Sequence, residues 1–170
     1  VVEVKIDRDT RLRAAEDARK MGVLNGSLRG GRGNIYGMLG EVLAHAYLGG
    51  ERVGAQRFSC DIVLPDGRTI DVKTGSGKNK PLPHYAARVY GSEAQREGIG
   101  SKCDGYFFVR CHENKHLLWL LGWLPADEFV QKATFHPQGS VNPVDGRLCR
   151  SDEYVVPVSE LRHPRSLLSR

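Results

Sequence analysis

Apolar and polar positions alternate along residues 60–74, CDIVLPDGRTIDVKT, on either side of a Pro-Asp-Gly step. A two-residue period broken by such a step predicts two strands joined by a tight turn. Upstream, residues 10–22 carry Leu12, Ala14, Ala15 and Ala18 among mixed charges and predict an amphipathic helix. A second helix is predicted over 34–49, NIYGMLGEVLAHAYLG, with Asn34 as N-cap and Gly49 as stop. At about 100° per residue, Ile35, Leu39, Val42, Leu43 and Ala46 spread over one apolar face. Glu41 stands at the border of that face, either looking into a cleft between helix and sheet or lying on a solvated edge.

Downstream, the chain reads as irregular from Gly75 to about Lys102, with a short helix around Glu93–Glu97. DGYFFVRC (104–111) and HLLWLLGWL (116–124) then read as two strands around a polar HENK turn. Trp119 and Trp123 are expected on one side of the second strand, in the core rather than as a base-stacking platform. PADEFVQKA (125–133) predicts a helix with Pro125 at its first position and acidic residues in its first turn. The last stretch, with DEYVVPVSEL, offers one short strand and reads as peripheral. The pattern as a whole predicts a single α/β domain, a small mixed β-sheet flanked by helices, with its core over about 34–133 and a peripheral segment over 134–170.

The register of the 60–74 hairpin decides its chemistry. With a three-residue Pro65-Asp66-Gly67 loop, Leu64 pairs with Arg68, and Asp61 falls directly across from Asp71. Side chains alternate faces along a strand, so one face then carries Asp61, Val63, Thr69, Asp71 and Lys73. The other carries Ile62, Leu64, Ile70 and Val72, an apolar set suited to burial. A two-residue Asp66-Gly67 turn would slip the pairing by one and mix the two sets, which is unfavourable wherever one face is buried. Gly67 in the left-handed position also suits the common three-residue hairpin. The longer loop is therefore expected. Two carboxylates facing each other repel by about 0.2–1 kcal/mol at exposed sites, and a divalent cation between them would remove that repulsion. Lys73 lies on the same face, about 7 Å beyond Asp71 at roughly 3.3 Å per residue. An all-oxygen donor set favours Mg²⁺ or Mn²⁺ over zinc. The same face is equally readable as a surface network of Asp61 and Asp71 with Lys73 and Arg68.

Composition bounds the remaining choices. The 170 residues suit one domain, and 40% hydrophobic with 26% charged residues is globular composition rather than disorder. No run of eighteen apolar residues occurs, so no transmembrane helix is expected. The first residues lack the basic-then-apolar order of a secretory signal, which predicts an intracellular protein. Four scattered cysteines without a CxxC pair read as reduced thiols, and the spacing of Cys103, Cys111, His112 and His116 matches no common zinc finger. A net charge of +5 favours an anionic partner. The Gly- and Arg-rich loop at 25–34 lacks the GxxxxGK[ST] phosphate-loop pattern. Arg29 and Arg32 within it, with Lys78, Lys80 and Arg88 after the hairpin, are either phosphate-holding walls around the acidic face or solvated loop charges.

Glu41 on a helix, Asp61 on a strand and Asp71-Val72-Lys73 on the next strand resemble the PD-(D/E)xK nuclease superfamily, whose core is restriction-endonuclease-like. Cys60 stands where the superfamily's name has Pro. The resemblance covers roughly residues 34–125 and extends more loosely to the strands and helix after it, as in small phage-type members. It implies a DNA nuclease dependent on Mg²⁺ or Mn²⁺, with Glu41, Asp61, Asp71 and Lys73 as catalytic residues. It further implies a cation held by Glu41, Asp61, Asp71 and the Val72 carbonyl, and a water oriented by Lys73. The alternative is a catalytically silent nucleic-acid-binding module of the same fold. Oligomeric state is left open, a homodimer being favoured if both strands of a duplex are cut.

Overall fold

Val2 and Val4, alternating with Glu3 and Lys5, are partly buried and open the chain as strand β1 (Val2–Lys5). The computed structural model describes residues 1–21, 34–53, 60–91, 98–99, 102–143 and 146–168. Helix α1 (Arg8–Met21) begins where the Asp7 carboxylate accepts the Thr10 N–H at 2.6 Å, satisfying a donor that the first helical turn leaves unpaired. Helix α2 (Asn34–Leu48) stops at Gly49, whose φ of +74° only glycine adopts without strain and whose N–H caps the His45 carbonyl at 2.8 Å. There follow β2 (Glu51–Arg52), β3 (Ile62–Val63), β4 (Thr69–Gly77), β5 (Ala86–Tyr90), β6 (Gly105–His112), β7 (Leu117–Pro125), α3 (Ala126–Lys132), β8 (Thr134–His136) and β9 (Glu153–Pro157). Two short 3₁₀ turns, Val158–Glu160 and Pro164–Leu167, come after β9. Among the described residues no helix is long and apolar enough to cross a membrane.

Six strands form a mixed sheet in the order β1-β7-β6-β4-β3-β2, and β5-β9-β8 form a second, antiparallel sheet. Among the described residues only β4 and β6 pair in parallel, from Ile70↔Gly105 to Gly77↔His112. The large sheet has a core on each face. On one, Ile62, Ile70, Val72, Phe107 and Leu120 pack against Met38, Leu39 and Ala44 of α2 and Ala14 of α1. On the other, Tyr106, Phe108 and Leu121 meet Ala87, Val89, Tyr154 and Val156 of the second sheet and Phe129 of α3. A strand with both faces covered loses the period-two signal and reads as a continuous apolar run, as β6 and β7 do.

Several expectations change. The stretch from Gly75 is not wholly irregular: β4 continues to Gly77, and β5 forms the edge of the second sheet. The stretch 92–97 lies outside the described residues, and so does the helix expected around Glu93–Glu97. The C-terminal stretch is not peripheral, because Tyr154, Val155 and Val156 of β9 are buried in the centre of the second sheet. Pro125 caps α3 rather than opening its first turn. The buried side of α2 is rotated from the expected stripe toward Gly40 and Ala44, whose small size lets the helix lie close on β4, and Ala46 is exposed. Trp119 and Trp123 lie on opposite faces because an extra residue at Leu121 shifts the β6–β7 register between Phe108 and Val109. Gly122 at that shift has no room for a side chain: a Cβ there would overlap the Arg162 carbonyl.

Candidate active site

The hairpin adopts the three-residue loop. Leu64 N–H donates to the Arg68 carbonyl at 2.8 Å, Gly67 N–H to the Leu64 carbonyl at 2.9 Å, and Gly67 has a φ of +89°. The ladder runs Val63↔Thr69 and Ile62↔Ile70, and Asp61 N–H donates to the Ile70 carbonyl at 2.9 Å. The ladder ends at Ile62↔Ile70 and the Asp61 and Asp71 carboxyls come close just beyond it, while Ile62, Leu64, Ile70 and Val72 are buried in the core beneath α2. Regular pairing ends here, because the Asp61 carboxylate takes the place of the next backbone acceptor. Val72 N–H donates to Asp61 Oδ2 at 2.7 Å. In a strand the N–H and C=O of one residue point to the same side, so the Val72 carbonyl opens toward Asp61 as well.

Lys73 Nζ contacts Asp71 Oδ2 at 2.7 Å and lies 5.8 Å from the centre of the Tyr106 ring, which carries the same face onto β6. Both side chains are mostly covered, at 32% and 14% exposure, so their attraction is less screened than that of a surface pair.

Glu41 joins this group through helix packing. A Cβ on Gly40 would overlap Thr74 Oγ1, so α2 approaches β4 more closely than any larger residue would allow. The next residue, Glu41, is half-buried and within electrostatic reach of both aspartates. Its carboxyl is pushed up from 4.5 to about 8, first by burial and then by the Asp61 charge. Arg52 opposes the rise, and Asp71 and Asp17 add to it. Asp61 is pushed up from 3.8 to about 6 by burial and then by the charge of Asp71, with the Val72 N–H and Lys73 pulling the other way. The nearness of the Asp71 carboxyl adds to that rise. The site therefore holds more negative charge than Lys73 balances, and protons make up the difference.

Three groups at this site carried no signal in the sequence pattern. Arg52 reaches in from β2 to pair with Asp17 at 2.9 Å, with Met38 Sδ 3.8 Å away. Cys60 and Cys103 are buried near the aspartates, and burial, then carboxylate charge, pushes both thiols up, Cys103 to about 11. Neutral thiols of this kind are packing groups rather than nucleophiles. Of the basic residues predicted around the site, Lys78 and Lys80 are exposed past the far end of β4. Arg88 is in β5 and pairs with Glu153 at 3.2 Å. Arg29 and Arg32 lie outside the described residues.

The structure thus brings Glu41, Asp61, Asp71 and Lys73 together, with Val72 between them. Among the described residues no three His, Cys, Asp or Glu side chains stand at the spacing needed to hold one metal ion. Asp71 Oδ2 is engaged by Lys73 and Asp61 Oδ2 by the Val72 N–H. Chemically, the cluster can exchange protons near neutral pH at Asp61 and Glu41 and can stabilise negative charge at Lys73. No protein-family model matches the chain, and no curated protein matches it in sequence.

Proposed function

We propose that the protein is a divalent-metal-dependent nuclease acting on DNA, with a restriction-endonuclease-like core built from α2, β3, β4, β6 and β7. The observation that carries this reading is the Asp61–Asp71 pair facing across the hairpin, with Lys73 on Asp71 and Glu41 of α2 beside both. The donor set fits a hard cation: three carboxylates and the Val72 carbonyl offer oxygen only, and the protons now offsetting their excess charge would yield to a cation. Glu41, Asp61, Asp71 and the Val72 carbonyl would hold Mg²⁺ or Mn²⁺. When bound, such an ion lowers the pKa of a coordinated water and offsets charge on a phosphate.

The chain's own residues supply the rest. Lys73, fixed by Asp71 and flanked by Tyr106, presents an ammonium that orients a water and stabilises the charge building on phosphate oxygens in the transition state. Asp61, as one of the cation's donors, would release the proton it keeps in the metal-free protein when the ion binds. The Val72 N–H keeps that carboxylate aimed at β4.

The Lys73–Asp71 contact and the spacing of the carboxylates also favour a second reading, a catalytically silent nucleic-acid-binding module of the same fold. Incubation with plasmid and linear DNA in Mg²⁺, Mn²⁺ or EDTA separates the two. The nuclease reading expects cleavage that needs the metal and that Asp71→Asn and Lys73→Met each reduce by at least about 10²-fold, the scale of losing a charge-stabilising or proton-transfer group. Wild-type protein that cuts no DNA, or an Asp71→Asn variant that cuts as well as wild type, defeats it.

A further inference from the structure

A cavity of about 220 Å³ lies at the opposite end of β4 from Asp71, walled by His84, Tyr85, Arg88, Arg110 and Arg147. Arg110 shares the sheet face of the acidic site. In the parallel β4–β6 ladder Asp71 pairs with Tyr106, Lys73 with Phe108 and Gly75 with Arg110, and side chains two apart lie on one face. Gly75 lies four residue steps beyond Asp71, about 13 Å at 3.3 Å per residue.

The Arg110 and Arg88 guanidiniums are held in place. Arg110 stacks 4.8 Å from the centre of the Tyr85 ring, and it crosses β4 at Gly77, where a Cβ would overlap its guanidinium. Arg88 is fixed by its 3.2 Å contact with Glu153, whose side chain is only 7% exposed. Arginine presents a planar, permanently charged fork that suits phosphate oxygens, and holding the fork beforehand lowers the entropy cost of binding.

We propose that this cavity seats a backbone phosphate of the nucleic-acid strand whose scissile phosphate lies at Asp71 and Lys73, a deepening that rests on the nuclease reading above. The 13 Å offset corresponds to on the order of four nucleotides of duplex rise at 3.4 Å each. The seat sets the register of the strand along β4 while the acidic cluster does the chemistry.

The test is equilibrium binding of a fluorescent oligonucleotide in EDTA, where nothing is cut, across a salt series. The wild type is compared with Arg110→Gln, Arg147→Gln and Gly77→Ala. Gly77→Ala displaces the Arg110 guanidinium, and exposed Arg147 keeps the test open if Arg110→Gln does not fold. Losing one phosphate contact should weaken binding by on the order of tenfold and reduce the slope of log affinity against log salt by about 0.9 for a duplex oligonucleotide. Lys20→Gln, on α1, should change neither. Inorganic phosphate should displace the oligonucleotide from wild type more readily than from Arg147→Gln. Folded variants with wild-type affinity and slope overturn the proposal. So does tighter binding conferred by a 5′-phosphate over a 5′-hydroxyl, which would put a strand end in the cavity rather than a backbone phosphate. Cleavage is scored separately. A wild type that binds through the arginines but never cuts removes only the nuclease reading, and one that cuts while the variants bind normally removes only the seat.

Discussion

Replacing Glu41 with Gln removes the most displaced carboxyl of the site while keeping its shape. In the folded protein this carboxyl is pushed from 4.5 to about 8, burial being the first cause and the Asp61 charge the second. Between those values the folded state keeps a proton that the unfolded chain releases, so stability is fully present below about 4.5 and is lost as pH rises through about 8. At 1.36 kcal/mol per pH unit the whole interval is worth about 5 kcal/mol, of which about 3 kcal/mol falls between about pH 5.5 and pH 8. The assay is urea unfolding in EDTA at a series of pH values, for wild type and Glu41→Gln in parallel. Titrating groups remote from the site are common to both proteins and cancel in the difference, leaving Glu41 together with Asp61, to which it is coupled. Wild type should lose about 3 kcal/mol more than the variant over that range, and the variant should be the more stable protein at pH 8. Mg²⁺ should then raise the wild-type unfolding midpoint more at pH 8 than at pH 5.5, because it competes with the proton. Parallel pH profiles, agreeing within about 0.5 kcal/mol, would refute the placement of Glu41 against the two aspartates.

Further substitutions probe the same architecture. Gly40→Ala should cost about 1–3 kcal/mol, from the overlap of the new methyl with Thr74 Oγ1, and should lower cleavage by moving α2 off β4; urea midpoints and a DNA-cutting assay read both. Asp61→Asn keeps an acceptor for the Val72 N–H and should fold while losing cleavage. Asp61→Ala leaves that N–H without its partner and should lose about 1–3 kcal/mol relative to Asn, measured by denaturation. Gly122→Ala combines a φ of +148° with overlap on the Arg162 carbonyl, and should lower the unfolding midpoint by about 2 kcal/mol or more, seen in calorimetry.

The hairpin and its chemistry were legible in sequence because the constraints are local. A left-handed Gly67 and one apolar set on alternate positions leave a single favourable register, and that register brings Asp61 close to Asp71. α2 was legible for the same reason, with Gly49 at its end. What stayed hidden depends on contacts between distant segments. β5 carries only five residues and owes its place to β9, some 65 positions later, so nothing near it in the chain marks it as a strand. β9 looked peripheral because its partners follow neither from its length nor from its neighbours. The shift at Leu121 moved Trp123 to the face opposite Trp119, an outcome that simple alternation cannot produce.

Glu41 shows where the two kinds of information meet. On the helix alone it had two readings, a cleft residue or a solvated edge residue, the second being the commoner for a lone Glu on a helix. What separates them is the glycine before it: Gly40 lets α2 lie against Thr74, and Thr74 is three residues from Asp71 on the same strand. A residue with no side chain thus fixes the depth at which a carboxylate is buried. The burial in turn makes that carboxylate keep a proton near neutral pH, where an exposed glutamate would not. Small residues facing a strand are therefore as much a part of this site's signature as its acids. If Gly40→Ala left the pH dependence of stability and the metal response unchanged, the depth of Glu41 would have another cause.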